Sequence, residues 1–83
     1  SFLPAKGYWA KYDKDDRVAA LASFMRKTFP AYTSAKALGP IYGNYLSKSI
    51  AEFQRRSNGK LYPDGMTGPK TYAELQSYGF RWP

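Results

Sequence analysis

The sequence predicts an all-α fold: a small three-helix bundle with an internal pseudo-repeat and a long loop between helices 1 and 2. Apolar residues recur at helical spacing in three segments, near 14–28, 46–57 and 69–78. One pattern also occurs twice: an apolar residue, a glycine two positions later, and a second apolar residue seven positions after the glycine. Its members are Ile41, Gly43 and Ile50, then Met66, Gly68 and Leu75. A repeated turn into a helix predicts two related halves around a shared groove.

Length and composition limit the classes of function that this chain can have. Its 83 residues are enough for one domain, which we place at residues 1–83. There is no cysteine and no histidine, so we expect no disulfide, no metal site built on those residues and no cofactor. No apolar run approaches the ~18 residues of a membrane span. The chain begins at Ser1 without a signal peptide, and we expect it to be a module of a larger protein.

Charge and aromatic content indicate which partners to consider. The net charge is +7, and 18% of the residues are aromatic, among them eight tyrosines. Positive charge favours nucleic acid, anionic lipid or the acidic polymers of a bacterial wall. Aromatic rings with polar tips favour planar or ring-shaped partners, including sugars. Both features also have a simpler explanation, because tyrosines fill small cores and lysines keep small domains soluble.

The N-terminal part of the chain is predicted as a strap followed by a helix. Residues 1–12 have no periodicity but are too apolar for a free tail, so we expect an ordered strap over the core, ahead of a helical module at about 13–80. Asp13 is the predicted N-cap of the first helix, and Pro30 ends it. The predicted buried face of this helix consists of Val18, Leu21, Ala22, Met25 and Phe29.

The remaining elements follow from turn residues and caps. Residues 30–44 form the long connection, and a loop of this length in a small domain is usually functional or mobile. The second helix begins between Asn44 and Ser47, either of which can act as its N-cap. The third helix begins after Gly68, with Pro69 at its first position, where the missing N–H is harmless.

Residues 64–75 carry a family resemblance. They read Asp-Gly-Met-Thr-Gly-Pro-Lys-Thr-Tyr-Ala-Glu-Leu, and Phe53-Gln54 precedes them. In this order, Phe-Gln, Asp-Gly, Gly-Pro and Thr resemble the peptidoglycan-binding domain of type 1, a three-helix module of bacterial wall hydrolases and phage endolysins. The resemblance is dense from about Ile41 to Leu75 and weaker in the first helix. It implies a bundle that holds cell-wall glycopeptide in a shallow groove, beside a separate catalytic domain and without chemistry of its own.

The predicted ligand site lies in or beside the two repeat turns. It comprises Asn44, Tyr45, Gln54, Tyr62, Asp64, Gly68, Thr71 and Tyr72. A tyrosine ring can stack on the apolar face of a sugar, and an asparagine can bond an acetamido group through both donor and acceptor. We expect a groove between the turns with a sugar on Tyr45 or Tyr72. Structural explanations compete: Asp64 suits a turn, Gln54 can tie two loops together, and any tyrosine can simply pack.

Two other classes of function compete with wall binding. A nucleic-acid-binding helical domain is the alternative, supported by the +7 charge, but no helix carries a basic face arranged to read bases. An enzyme is disfavoured because a glycosidase needs two carboxylates across a groove, and the chain lacks His and Cys for other chemistry. We therefore expect no catalytic residue. We expect a monomer that binds the glycan strand and stem peptide of peptidoglycan, either outside the cytoplasm or after release at phage lysis.

Overall fold

Three helices and an extended N-terminal segment make up the structure. The computed structural model describes all of residues 1–83, with α1 at Asp16–Thr28, α2 at Asn44–Arg55 and α3 at Pro69–Ser77. It contains no strand, so the all-α prediction is confirmed, and each helix boundary lies within two residues of the expected one. None of the helices combines the length and the apolar character needed to cross a bilayer.

Helix α1 begins later than its sequence suggests, and Asp13 is not its N-cap. Asp15 is the cap, and its Oδ1 accepts a hydrogen bond from the Arg17 backbone N–H at 2.8 Å. The Asp13 carboxylate instead accepts from the Ala10 N–H at 2.9 Å and from Lys6 Nζ at 2.7 Å. The Asp13 carbonyl accepts a hydrogen bond from the Tyr42 N–H of the first repeat turn at 2.8 Å. The N-terminal strap therefore runs two residues further than the sequence predicts.

The two repeat turns have nearly the same backbone geometry. Gly43 is the N-cap of α2 with φ −98° and ψ −172°, and Gly68 is the N-cap of α3 with φ −98° and ψ −166°. Neither helix has a side-chain cap, so Asn44 and Ser47 do not have the capping role considered for them. The duplication seen in the sequence is thus a duplication of structure.

The N-terminal strap pairs with both repeat turns at equivalent positions. Trp9 exchanges two backbone hydrogen bonds with Thr67, at 2.9 and 2.8 Å. The Tyr42 carbonyl accepts from the Tyr12 N–H at 2.8 Å, and the Tyr42 N–H donates to the Asp13 carbonyl at 2.8 Å. In the repeat, Tyr42 and Thr67 occupy corresponding places, one before each glycine cap. One segment of backbone therefore holds both turns.

A single apolar cluster lies between the strap and the three helices. The strap contributes Phe2 and Trp9, and α1 contributes the four buried residues Val18, Leu21, Ala22 and Met25. The remaining members are Ala37, Tyr42, Leu46, Ile50, Phe53, Leu75 and Phe80. The long loop, residues 29–43, joins this cluster through Ala37 and packs so closely on α1 that a Cβ on Gly39 would lie 2.1 Å from the Cα of Ala19.

Candidate functional site

A groove of about 530 Å³ lies beside the second repeat turn, between the loop after α2 and the start of α3. Its lining residues come from the strap, the end of α2, the connecting loop and the first turn of α3. They are Tyr8, Gln54, Lys60, Leu61, Tyr62, Asp64, Met66, Gly68, Pro69, Lys70 and Thr71. Five of the eight predicted site residues are among them: Gln54, Tyr62, Asp64, Gly68 and Thr71. A groove of this size is within the range of small-molecule and oligosaccharide sites.

The floor of the groove is organised by one buried amide. Gln54 is 2% exposed, and its Nε2 donates to the Met66 carbonyl at 2.8 Å and to Thr71 Oγ1 at 3.0 Å. Its Nε2 also lies 3.2 Å from Asp64 Oδ1, and its Oε1 accepts from the Gly65 N–H at 2.8 Å. Gln54 thus ties the turn to both neighbouring helices. Since both ends of its amide are used inside the protein, its role in the structure is to hold the groove in shape.

The turn that borders the groove needs its own residue types. Gly65 has φ +79°, and a Cβ there would lie 2.6 Å from Ser47 Oγ and 3.0 Å from the Ser47 carbonyl oxygen. A side chain at this position would therefore be strained by the positive φ and would clash with Ser47. Asp64 Oδ1 accepts from the Met66 N–H at 2.9 Å, which closes the turn. Both side-chain hydrogen bonds of Asp64 use Oδ1, which leaves Oδ2 of this groove-lining residue without a protein hydrogen-bond partner.

Tyrosine side chains flank the groove. Tyr62 is 80% exposed, and Tyr8 is 41% exposed with Lys6 Nζ 4.9 Å from its ring centroid. Tyr8 also lies over the start of α3, because a Cβ on Gly68 would be 3.8 Å from the Cβ of Tyr8. Met66 adds an exposed apolar side chain at 39%. Tyr62 therefore presents an open aromatic surface of the kind that binds sugar rings, whereas Lys6 already lies over the ring of Tyr8.

Charge around the groove is mostly positive. Lys60 Nζ lies 3.7 Å from Glu74 Oε2, a loose ion pair between partly exposed groups. Lys70 makes no ion pair and lies in the first turn of α3, where backbone N–H groups have no partner within the helix. Asp64 is the one carboxylate that lines the groove. This arrangement suits a ligand with hydroxyl groups and carboxylates.

Three predicted site residues lie away from this groove. Asn44 and Tyr45 begin α2 on another part of the surface, and Lys36 Nζ is 5.7 Å from the Tyr45 ring centroid. Tyr72 packs its ring on Phe2, with the centroids 4.7 Å apart. The space between the two repeat turns is not a groove but is occupied by Tyr42, whose hydroxyl donates to the Gly65 carbonyl at 2.6 Å. In this structure the groove therefore lies beside the second turn rather than between the two turns, and neither Tyr45 nor Tyr72 lines it.

Sequence reasoning missed several groove residues. Tyr8, Lys60 and Lys70 were not among its candidates, although all three line the groove. Tyr8 directly precedes the buried Trp9, and consecutive residues of an extended segment point to opposite sides. This alternation indicates that Tyr8 points away from the core. Lys60 and Lys70 carry no pattern that separates them from other surface lysines.

Four of the five carboxylate side chains outside the groove pair with basic residues, and the exposed Asp16 is the exception. Arg56 Nε donates to Glu52 Oε2 at 2.9 Å, and this hydrogen bond lowers the pKa of Glu52 below its usual value. Arg55 also pairs with Glu52. The hydrogen bond from the Arg17 side chain lowers the pKa of Asp15 to about 2. Acidic side chains are nowhere grouped in threes that could hold a metal ion.

Comparison with models of known protein families, with curated proteins and with solved structures finds no match to this chain.

Proposed function

We propose that this chain is a non-catalytic module that binds bacterial peptidoglycan and targets an attached wall hydrolase, such as a phage endolysin, to its substrate. The observation that carries the proposal is the groove beside the second repeat turn, flanked by Tyr8 and Tyr62. This turn belongs to the segment whose residues resemble the peptidoglycan-binding domain of type 1. The segment that carries the resemblance therefore also supplies residues that line the groove.

The chemistry of the groove suits a glycan strand with peptide substituents. The exposed ring of Tyr62, over which no cation lies, offers a stacking surface for the apolar face of a sugar, and Tyr8, with Lys6 over its ring, also lines the groove. The second oxygen of Asp64 can accept hydrogen bonds from sugar hydroxyl groups. Lys60 and Lys70 stand where they can pair with stem-peptide carboxylates, and the free N–H groups at the start of α3 favour the same charge.

The carboxylates of the chain support a binding role rather than a catalytic one. Glycoside hydrolysis uses two carboxyl groups roughly 5–10 Å apart on either side of the bond that is cleaved. Asp64 has no second carboxylate beside it in the groove lining. Glu52 is held in its charged form by two arginines, which is the opposite of the raised pKa that a general acid needs.

A binding module of this kind acts by raising effective concentration. A hydrolase joined to it stays close to its insoluble substrate after each cleavage, so the next bond is found without a new encounter. The site of action is then the bacterial wall, reached from outside the cytoplasm or after release at phage lysis.

The test is sedimentation of the purified chain with sacculi from which phosphate-containing polymers have been removed. Tyr62→Ala should weaken binding about fivefold, the equivalent of roughly 1 kcal/mol for one stacked aromatic ring. Tyr12→Ala is the matched control, because Tyr12 is also 80% exposed but lies outside the groove. Soluble muropeptides should shift the NMR signals of residues 60–71 and leave those of residues 16–28 in place. Equal binding by both variants, or signal changes confined to α1, would refute the groove assignment.

A further inference from the structure

A second surface, separate from the groove, combines free lysines with exposed tyrosines. We call it the lysine–tyrosine face, and its members are Lys11, Tyr12, Lys14, Lys36, Tyr45 and Lys48, all of them exposed. It lies around the first repeat turn. None of these residues lines the groove beside the second turn.

Backbone pairing and side-chain contacts place five of these residues around the first repeat turn, and Lys11 directly precedes Tyr12 in the chain. The backbone of Lys14 pairs with that of Ile41 in the first repeat turn. The Tyr12 N–H donates to the carbonyl of Tyr42, the next residue of that turn, at 2.8 Å. Lys36 reaches from the long loop to the ring of Tyr45 in the first turn of α2. Lys48 lies three residues after Tyr45 on α2, and residues at this spacing share one face of a helix.

This face holds an excess of uncompensated positive charge. Five of the chain's 13 basic residues take part in ion pairs, which leaves eight without one, and four of these eight are lysines of this face. Two carboxylates next to Lys14 in the chain are held by other partners: Asp13 by Lys6 at 2.7 Å and Asp15 by Arg17 at 2.9 Å. A surface with this balance attracts a partner with repeated negative charge.

We propose that the lysine–tyrosine face binds a polyol-phosphate polymer of the bacterial wall, while the groove binds peptidoglycan itself. That the partner lies in the bacterial wall rests on the proposed function. The contacts between this face and a phosphate polymer do not depend on it. Lysine ammonium groups pair with phosphates as point charges. The side chains of Leu38 and Ile41, 57% and 51% exposed, offer aliphatic surface beside the lysines to the carbon chain between phosphates.

Single-stranded nucleic acid fits this surface less well. Such strands bind where successive bases stack on free aromatic rings within a basic groove. Here Lys36 lies over the Tyr45 ring, so Tyr12 is the one tyrosine of the face whose ring no cation covers. The face therefore offers charge for a phosphate chain but little platform for bases.

The experiment measures binding of the chain to purified polyol-phosphate polymer over a range of salt concentrations. Lys36→Gln with Lys48→Gln should weaken binding and reduce the slope of log affinity against log salt by about 1.4, if each lysine contributes ~0.7 as on single-stranded nucleic acid. Lys27→Gln with Arg81→Gln is the matched control, because it removes the same charge from unpaired residues that line a separate cleft. The control should keep the parental slope.

The outcomes separate this inference from the proposed function. Loss of polymer binding in the first double variant, with unchanged binding to polymer-free sacculi, supports both assignments. Equal losses in the two double variants would overturn the inference, since net charge alone would then explain the attraction. Tighter binding of a mixed single-stranded oligonucleotide than of the polymer, at equal phosphate concentration, would overturn it in favour of nucleic acid. Failure of Tyr62→Ala to weaken binding to stripped sacculi contradicts only the groove.

Discussion

Replacing Gln54 with methionine removes the bonds that hold the groove while keeping the volume of the side chain. The amide makes three hydrogen bonds to neutral groups, namely the Gly65 N–H, the Met66 carbonyl and the Thr71 hydroxyl, all between 2.8 and 3.0 Å. A bond of this kind contributes about 1 kcal/mol net, and losing it leaves a buried partner unsatisfied. The longer contact to the exposed Asp64 adds less. We therefore expect Gln54→Met to lower the free energy of unfolding by about 3–4 kcal/mol.

That loss is large for a chain of this size. At roughly 0.05–0.15 kcal/mol per residue, the whole domain has only about 4–12 kcal/mol of stability. Guanidinium chloride unfolding of a small protein has a slope of about 2 kcal/mol per molar, so the midpoint should fall by roughly 1.5–2 M. Gln76→Met on α3 is the control, because Gln76 is exposed and its replacement should shift stability by less than about 0.5 kcal/mol.

Binding of the Gln54→Met variant to stripped sacculi tests separately whether the hydrogen bonds of Gln54 shape the groove. If Gln54 shapes the groove, the variant should also bind stripped sacculi more weakly under conditions where it is still folded. A midpoint within about 0.3 M of the parent, equivalent to ~0.6 kcal/mol, would show that the hydrogen bonds contribute little and would refute the reasoning.

Three further changes test other parts of the structure. Gly65→Ala should lower the free energy of unfolding by about 2–4 kcal/mol, because φ is +79° and the new Cβ meets helix α2. Gly59→Ala is the control: with φ +83° and open space around the Cβ, it should lower the free energy of unfolding by only about 1 kcal/mol. Equal unfolding midpoints of the two variants would contradict this. Phe53→Ala should cost about 3–5 kcal/mol, because the side chain is 3% exposed within the core, and a parental thermal midpoint would show otherwise. Asp15 has its pKa lowered to about 2 by its hydrogen bond from Arg17, so its contribution to stability is present above its unfolded pKa near 4 and is lost as pH falls to about 2. Asp15→Asn keeps a capping residue and should unfold with a weaker dependence on pH between about 4 and 2; an unchanged acid profile would exclude Asp15 as the source.

The fold could be predicted because its main signals are local. The apolar face of α1, the glycine caps of the other two helices and Pro69 at the start of α3 all act within a few residues along the chain. The predicted position of the first N-cap was wrong because the signal that decides it is not local. Asp13 and Asp15 are equally good caps by type, and the choice between them depends on pairing with Tyr42, which is distant in sequence.

The site could be predicted only in part. Gln54 and Asp64 belong to the Phe-Gln and Asp-Gly pairs that carry the resemblance, and both lie at the groove. Tyr72 could not be assigned, because a tyrosine at the start of a helix looks the same whether it faces solvent or packs. Its position is decided by Phe2, which the strap brings against it. Tyr8 also lies on the strap, so the path of the strap determines both that Tyr8 lines the groove and that Tyr72 packs on Phe2.

The strap also has a consequence for the order in which the chain folds. Residues 9 and 67 lie 58 positions apart in the sequence, and their pairing is the longest-range backbone link of the structure. Helical proteins fold quickly when most of their contacts are local, and each distant pairing must first meet the entropy cost of closing a long loop. The three helices can begin from local contacts, whereas the strap has no complete binding surface until both repeat turns exist. We therefore expect its docking to be a late step, so that the residues at the start of the sequence are among the last to reach their final positions.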